Sequence, residues 1–449
     1  MGCGERVVEF IPLMNEATSV NNHFEMTKTT DIKRQFLNSL KRGTGEAYFI
    51  VKDNPQIDFS NQIIKGVLNI FAYDGQSEVE RANYIFDIIS VSKQQDKIRK
   101  AVLHGLASEQ EGPWDLTHLF ALAKHFAEQG DNEMKDAIYD RFCNNPIEGC
   151  DWAGYSEILD LDGLQGLIYI AEKFGKAIEQ NPDDWQDDFI IKEFQEENPN
   201  LKVLKTLENQ AKENKHIRIY LDNIKRTKAN RKKHKSKPII FKDIIDEVFN
   251  SKPFILFRRK ENLSDDELIK IANQLINESE ESKIEKLLDV FDDNKFPLDS
   301  KIILNFAKQK RSSKNRVVDN AIAALKHLKS KSIRAFALDK IINSKNPLDY
   351  LEILTSNYQN GDFKLLYEIA VKTFDEHKIE RLAGIYTDIY TANKTKECKE
   401  PLEVLYSKMN CGIHRNGIVE ILIENDVLSE KIKNEIKFDS YLGTRELIK

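Results

Sequence analysis

From Asp31 onward, apolar residues recur every three or four positions and are interrupted by short polar breaks, which is the spacing of one face of an α-helix. The pattern predicts helices near 31–42, 46–53, 59–72, 77–91, 94–107, 115–128, 131–144, 163–180, 186–197 and 201–224. It resumes near 239–250, 264–277, 280–292, 299–310, 314–328, 331–343, 347–359, 361–375, 377–391, 400–409, 413–425 and 428–436. The stretch RVVDNAIAALKHLKSKSIRAFALDKII, Arg316 to Ile342, reads as two short apolar-striped helices across a turn. A pair of this kind has two apolar faces and cannot bury both alone, so its neighbours must stack on it. The expected fold is therefore all-α, an α-solenoid of degenerate helix pairs.

Two boundaries divide the chain. Fourteen of its 19 glycines lie in the first 175 residues and none between Lys176 and Asn360. Turns in the first half therefore stop helices with glycine, and those in the middle use Asn, Asp, Ser and Pro. Between the halves, KRTKANRKKHKSKP carries eight Lys or Arg, one His and no acid. It reads as an exposed basic linker over 225–238, between an acidic helical domain at 26–224 and a repeat domain at 239–449. Residues 1–25 read as a disordered or mis-started leader.

At 449 residues the chain exceeds the ~250–300 at which one core stops growing. Its 41% apolar and 31% charged content suits long solvated helices. Five cysteines without a framework spacing fit a reducing compartment, so a cytoplasmic location is expected. No apolar run approaches the ~20 residues that span a bilayer, and no membrane partner is expected.

Charge is unevenly placed. Residues 1–215 hold 23 Lys plus Arg against 37 Asp plus Glu, net −14, and residues 216–449 hold 44 against 36, net +8. Eight acids crowd Glu179 to Glu197 just before the basic run. One reading is mutual attraction across that hinge. The other takes Lys225, Arg226, Lys228, Arg231, Lys232, Lys233, Lys235 and Lys237 as contacts to phosphates or to a partner, extended by Arg258, Arg259, Lys308, Lys310, Arg311, Lys314 and Arg316. The run lacks interleaved aromatics for base stacking, and the pI near 6.0 is not that of a basic footprint.

No catalytic signature, cofactor motif or complete metal set emerges. Gly43-Thr44-Gly45 lacks the Gly-Lys-Thr ending and preceding strand of a phosphate loop, and fits a helix stop better. Glu46, Asp74, Gln76, Glu78 and Arg81 form a candidate docking patch at a helix junction. Cys398, Cys411 and His414 supply three soft ligands where structural zinc takes four. Asp160 and Asp162 before Gly163 suggest either an acid–base pair or a helix cap. Trp114, Trp152 and Trp185 read as interhelical wedges.

The Arg316–Ile342 pair, with Cys411-Gly412-Ile413-His414-Arg415, IVEILIENDVL and FDSYLGTRELI at the end of the chain, resembles bacterial HEAT-repeat proteins. His414 stands where that pattern has a second Cys. In the first half, Gly43 to Tyr48 and Ala72 to Glu78 are similar to segments of uncharacterised bacterial helical proteins. The resemblance implies a non-catalytic scaffold whose curved helical surface docks a protein partner. The alternative it implies is a nucleic-acid-binding protein, including an enzyme of the alkylpurine DNA glycosylase type, which needs an acid and aromatics in one basic groove.

Overall fold

The computed structural model describes residues 16–78, 81–183, 186–230 and 263–448, with side chains from Thr29 onward except at 229 and 230. Twenty-four α-helices and no strand occur among the described residues. The expected helix at 239–250, and Arg231, Lys232, Lys233, Lys235, Lys237, Arg258, Arg259 and Trp185, lie outside them. No helix among the described residues is long and apolar enough to cross a membrane.

The chain divides into two compact units. The first comprises Met1–Lys232, Asn410–Ile413 and Glu430–Lys449; the second comprises Lys233–Met409 and His414–Ser429. The expected division into two consecutive halves is thus modified, because the last 20 residues belong with the N-terminal helices.

In the first unit, α1 (Glu16–Arg42), α2 (Glu46–Asp53), α3 (Ser60–Leu68) and α4 (Arg81–Val91) precede α5 (Gln95–Ser108), α6 (Pro113–Glu128) and α7 (Asn132–Cys143). Then come α8 (Tyr155–Gln180), α9 (Phe189–Glu197), α10 (Val203–Gln210) and α11 (Lys215–Asn230). Helix α8 starts about two turns earlier than the periodicity indicates and bends at Gly163, whose φ of 53° a side chain resists. Helix α11 runs past Ile224, so Lys225, Arg226 and Lys228 stand on a helix rather than in a linker.

The second unit opens with α12 (Asp265–Asn277), which starts in a capping box of Ser264 and Glu267. It continues through α13 (Glu281–Asp289), α14 (Ser300–Ala307), α15 (Val317–Ala324) and α16 (Lys331–Asn343). It proceeds with α17 (Leu348–Leu351), α18 (Leu354–Asn357), α19 (Phe363–Lys372), α20 (Glu376–Ala392) and α21 (Lys399–Lys408). Helix α22 (Gly412–Glu424) begins at the division between units, and α23 (Glu430–Glu435) and α24 (Leu442–Glu446) belong to the first unit.

Each unit is tied together one helix pair at a time. In the second, Asn320 donates to the Glu285 carbonyl at 2.9 Å, 35 residues back, and His327 pairs with the Asp292 carbonyl over the same separation. Asn393 donates to the Thr355 carbonyl 38 residues back, and the Arg334–Asp362 pair spans 28. The first unit repeats this with Arg99 and Asp131, 32 apart, and Lys124 and Asp160, 36 apart. At helix ends without glycine, the side chains of Asn294, Asn357, Asn393 and Asn425 each donate to the carbonyl four residues back, tying down the last turn.

One buried group makes the first unit pH-sensitive. His118 on α6 is fully buried, its Nε2 2.9 Å from the Gly66 carbonyl oxygen, and burial pushes its imidazole down to about 4. An unfolded chain takes up this proton below pH ~6.5 while the folded unit does not, so stability falls from there to about pH 4 and then levels. His118→Gln, unfolded by urea under tryptophan fluorescence, is expected to lose about 3 kcal/mol less than wild type between pH 7 and pH 4. All three tryptophans lie in this unit. Equal losses in the two proteins would mean that His118 is not held neutral.

Candidate functional site

The candidate docking patch does not assemble as one surface. Asp74 is exposed and closes its own turn, accepting from Gln76 N at 3.0 Å and Ser77 Oγ at 2.6 Å. Glu78 and Arg81 are buried. Arg81 donates to the carbonyls of Leu40, at 2.7 Å, and Lys41, closing the C-terminal end of α1, and Glu78 lies 3.9 Å away. Glu78 also accepts from Gly412 N at 3.1 Å. These two residues hold the unit together. Glu46 pairs with Arg42 at 3.1 Å and accepts from Ser39 and Gln35. Burial raises its carboxyl, but Ser39, Gln35 and the nearby cations outweigh that and hold it below the ordinary range. Glu46 lines a groove of about 790 Å³ with Asp31, Arg34, Gln35, Lys41 and Arg42.

Gly43 adopts φ 78° and its N–H donates to the Ser39 carbonyl at 2.9 Å, so it is a helix stop. Asp160 and Asp162 are held by different partners, Lys124 at 2.5 Å and Lys135 at 2.6 Å, with Tyr139 donating to Asp162. Neither is poised as an acid–base pair. Burial pushes the Cys398 thiol up to about 11, and His414 lies 2.7 Å from Glu380. Trp114 and Trp152 pack on each other with centroids 5.7 Å apart.

Lys225, Arg226 and Lys228 are partly engaged with the acidic stretch before them. Lys228 pairs with Asp188 at 2.7 Å, Arg226 donates to the Pro182 carbonyl at 3.0 Å, and Lys225 lies 3.8 Å from Asp222. Of the attraction read from the sequence, the described residues show one ion pair, Lys228 with Asp188.

The second unit holds a groove of about 490 Å³, floored by Ile322 and Ala323 and lined by seven charged side chains. Asp292 comes from the turn after α13, Arg316 and Asp319 from the start of α15, Asp349 and Glu352 from α17 and its end, and Arg381 from α20. Arg311 spans Asp319 at 2.9 Å and Asp349 at 3.0 Å, and Arg381 reaches the other oxygen of Asp349 at 2.8 Å. This network fixes the walls. Among the described residues Glu352 and Arg316 form no ion pair, and they present opposite charge into the same space. Half-burial raises the Glu352 carboxyl, with Asp292 and Asp388 adding to it and Lys326 and Arg381 opposing.

Comparison with known proteins finds no match for this chain among family models, curated proteins or solved structures.

The groove therefore has to be read from its own chemistry. It offers a carboxylate, a guanidinium and an apolar floor, which suits recognition of a segment carrying both charges. Arg311 and Arg316 stand among the cations read from the sequence as a basic track, but each shares this groove with acids. Glu352, Asp349 and Arg381 carried no signal in one dimension, since they meet only when successive helix pairs are adjacent.

Proposed function

We propose that the chain is a docking scaffold, with each unit an α-solenoid of degenerate HEAT-like pairs, and that the second-unit groove receives a charged segment of a protein partner. The observation that carries this reading is the groove itself. Four elements that are not neighbours in sequence, the turn after α13, α15, α17 and α20, each contribute charge to one space, a salt-bridge network holds the walls, and among the described residues Glu352 and Arg316 form no ion pair. The pair-to-pair hydrogen bonds some 28–38 residues apart support the repeat reading. A fold of this kind does not by itself assign a partner, so the site carries the argument.

The test is selection of phage-displayed random peptides on the immobilised full chain and on a charge-swapped variant, Arg316→Glu with Glu352→Lys. Peptides carrying a basic and an acidic residue near each other are expected to be enriched on the wild type and to bind the variant at least ~10-fold more weakly, about 1.4 kcal/mol. No enrichment, or the same peptides on both proteins, would remove this assignment. Salt-sensitive binding of DNA or RNA by the wild type, lost on changing Lys225, Arg226 and Lys228 to Ser, would instead favour the nucleic-acid alternative.

A further inference from the structure

We infer that the exposed apolar stripe along α19 of the second unit is where a second copy of this chain packs, its own α19 running antiparallel about a two-fold axis near Ala370. Tyr367 and Val371 lie one turn apart on this helix and are 38% and 39% exposed. Phe374, just past the C-terminal end, is 81% exposed, the most of any large apolar side chain among the described residues. Its ring is nonetheless held in place. Lys408 of α21 donates to the carbonyls of Ala370, Val371 and Thr373 at 2.7–2.8 Å, and its ammonium lies 4.4 Å from the centre of the Phe374 ring. Thr373 donates to the Ile369 carbonyl at 2.8 Å, and Asp375 accepts from Lys378 N at 3.0 Å to cap α20. A fixed ring in line with two further apolar side chains binds at little entropic cost, because nothing has to be ordered on contact.

The order of charge selects the occupant. Lys364, Glu368 and Lys372 are exposed at intervals of four residues, a line beside the apolar one, and Glu376 follows at the start of α20. Along this edge the sign runs positive, negative, positive, negative. An antiparallel copy presents the same edge in reverse, so that Glu368 faces Lys372 of the second copy, Lys372 faces its Glu368, and Lys364 faces its Glu376. In the same register Val371 meets its own copy at the axis, and Tyr367 packs against the copy's Phe374. A parallel copy in register would set like charges level with each other. Glu368 and Lys372 already pair within the helix at 3.2 Å, but their side chains are 63% and 74% exposed, so exchange of partners costs little. Lys364 forms no ion pair among the described residues. The stripe shares no residue with the second-unit groove, so the two tests fail independently.

The experiment is sedimentation velocity on the full chain over a concentration series. Two short stripes make a small interface, so the wild type is expected to dimerise with a Kd on the order of 10 μM. Phe374→Ser, a change at a largely exposed position, is expected to raise that Kd at least ~10-fold. Glu368→Lys alone sets lysine against lysine, and Lys372→Glu alone sets glutamate against glutamate, so each variant is expected to dimerise ~10-fold more weakly. An equimolar mixture of these two variants restores both opposite-charge contacts and is expected to dimerise about as tightly as wild type, a gain that damage to the fold cannot produce. A wild type that stays monomeric throughout, which would leave the stripe to a different partner, would overturn the inference. So would a Phe374→Ser dimer as tight as wild type, or a mixture no tighter than its components.

Discussion

Arg81→Met is expected to destabilise the first unit by about 3–5 kcal/mol, the cost of breaking a buried charge pair from one side. Arg81 is 1% exposed and donates to the carbonyls of Leu40 and Lys41 in the last turn of α1. Methionine fills much of the volume but donates nothing, so both carbonyls and the buried Glu78 lose a partner. Urea unfolding under tryptophan fluorescence measures the loss. Adding Glu78→Gln to Arg81→Met is expected to recover part of it, because no net charge then stays buried. A single-variant loss below about 1 kcal/mol would show that water or a rearranged side chain replaces the guanidinium.

Gly45→Val is expected to release the C-terminal segment from the first unit. A Cβ at Gly45 would overlap the Glu435 carbonyl oxygen, and backbone cannot swing aside as a flexible side chain does. The same approach places Ser440 N 2.8 Å from the Gly43 carbonyl, stacks Phe438 on Tyr48 at 3.7 Å, and pairs Arg445 with Asp87 at 2.7 Å. Overpacking costs ~1–3 kcal/mol where a core can adjust, and the upper end is expected here. Limited proteolysis should cut within 430–449 of the variant much faster than in wild type, with the helices before Asn230 still protected. Equal cutting rates would mean that the segment docks without this close approach.

Most of the helices were legible one element at a time. Helices α2 and α16 match the expected 46–53 and 331–343 to the residue, because their starts are marked by a glycine stop and by Ser330 accepting from Ile333 N. The misread ends have physical causes. Helix α8 continues through Asp160 and Asp162 since Lys124 and Lys135 neutralise them, and α11 continues past Ile224 since Lys228 finds Asp188. All three partners are remote in sequence. The candidate sites were less legible for the same reason. Glu78 and Arg81 look like a solvated pair three residues apart, and only burial under the returning segment makes them structural.

The sequence by itself determined the helical class, the positions of most helices, the helix stop at Gly43 and the unequal charge of the two halves, all set by spacing and composition within a turn or two of chain. Tertiary structure decided that residues 430–449 return to the first helices, which cations are neutralised by distant acids, and which charges, Glu352 and Arg316 among them, remain free in a groove. Those outcomes depend on which helices become neighbours. A charge has no partner until the fold brings one within a few ångströms, and side-chain periodicity carries no record of that distance.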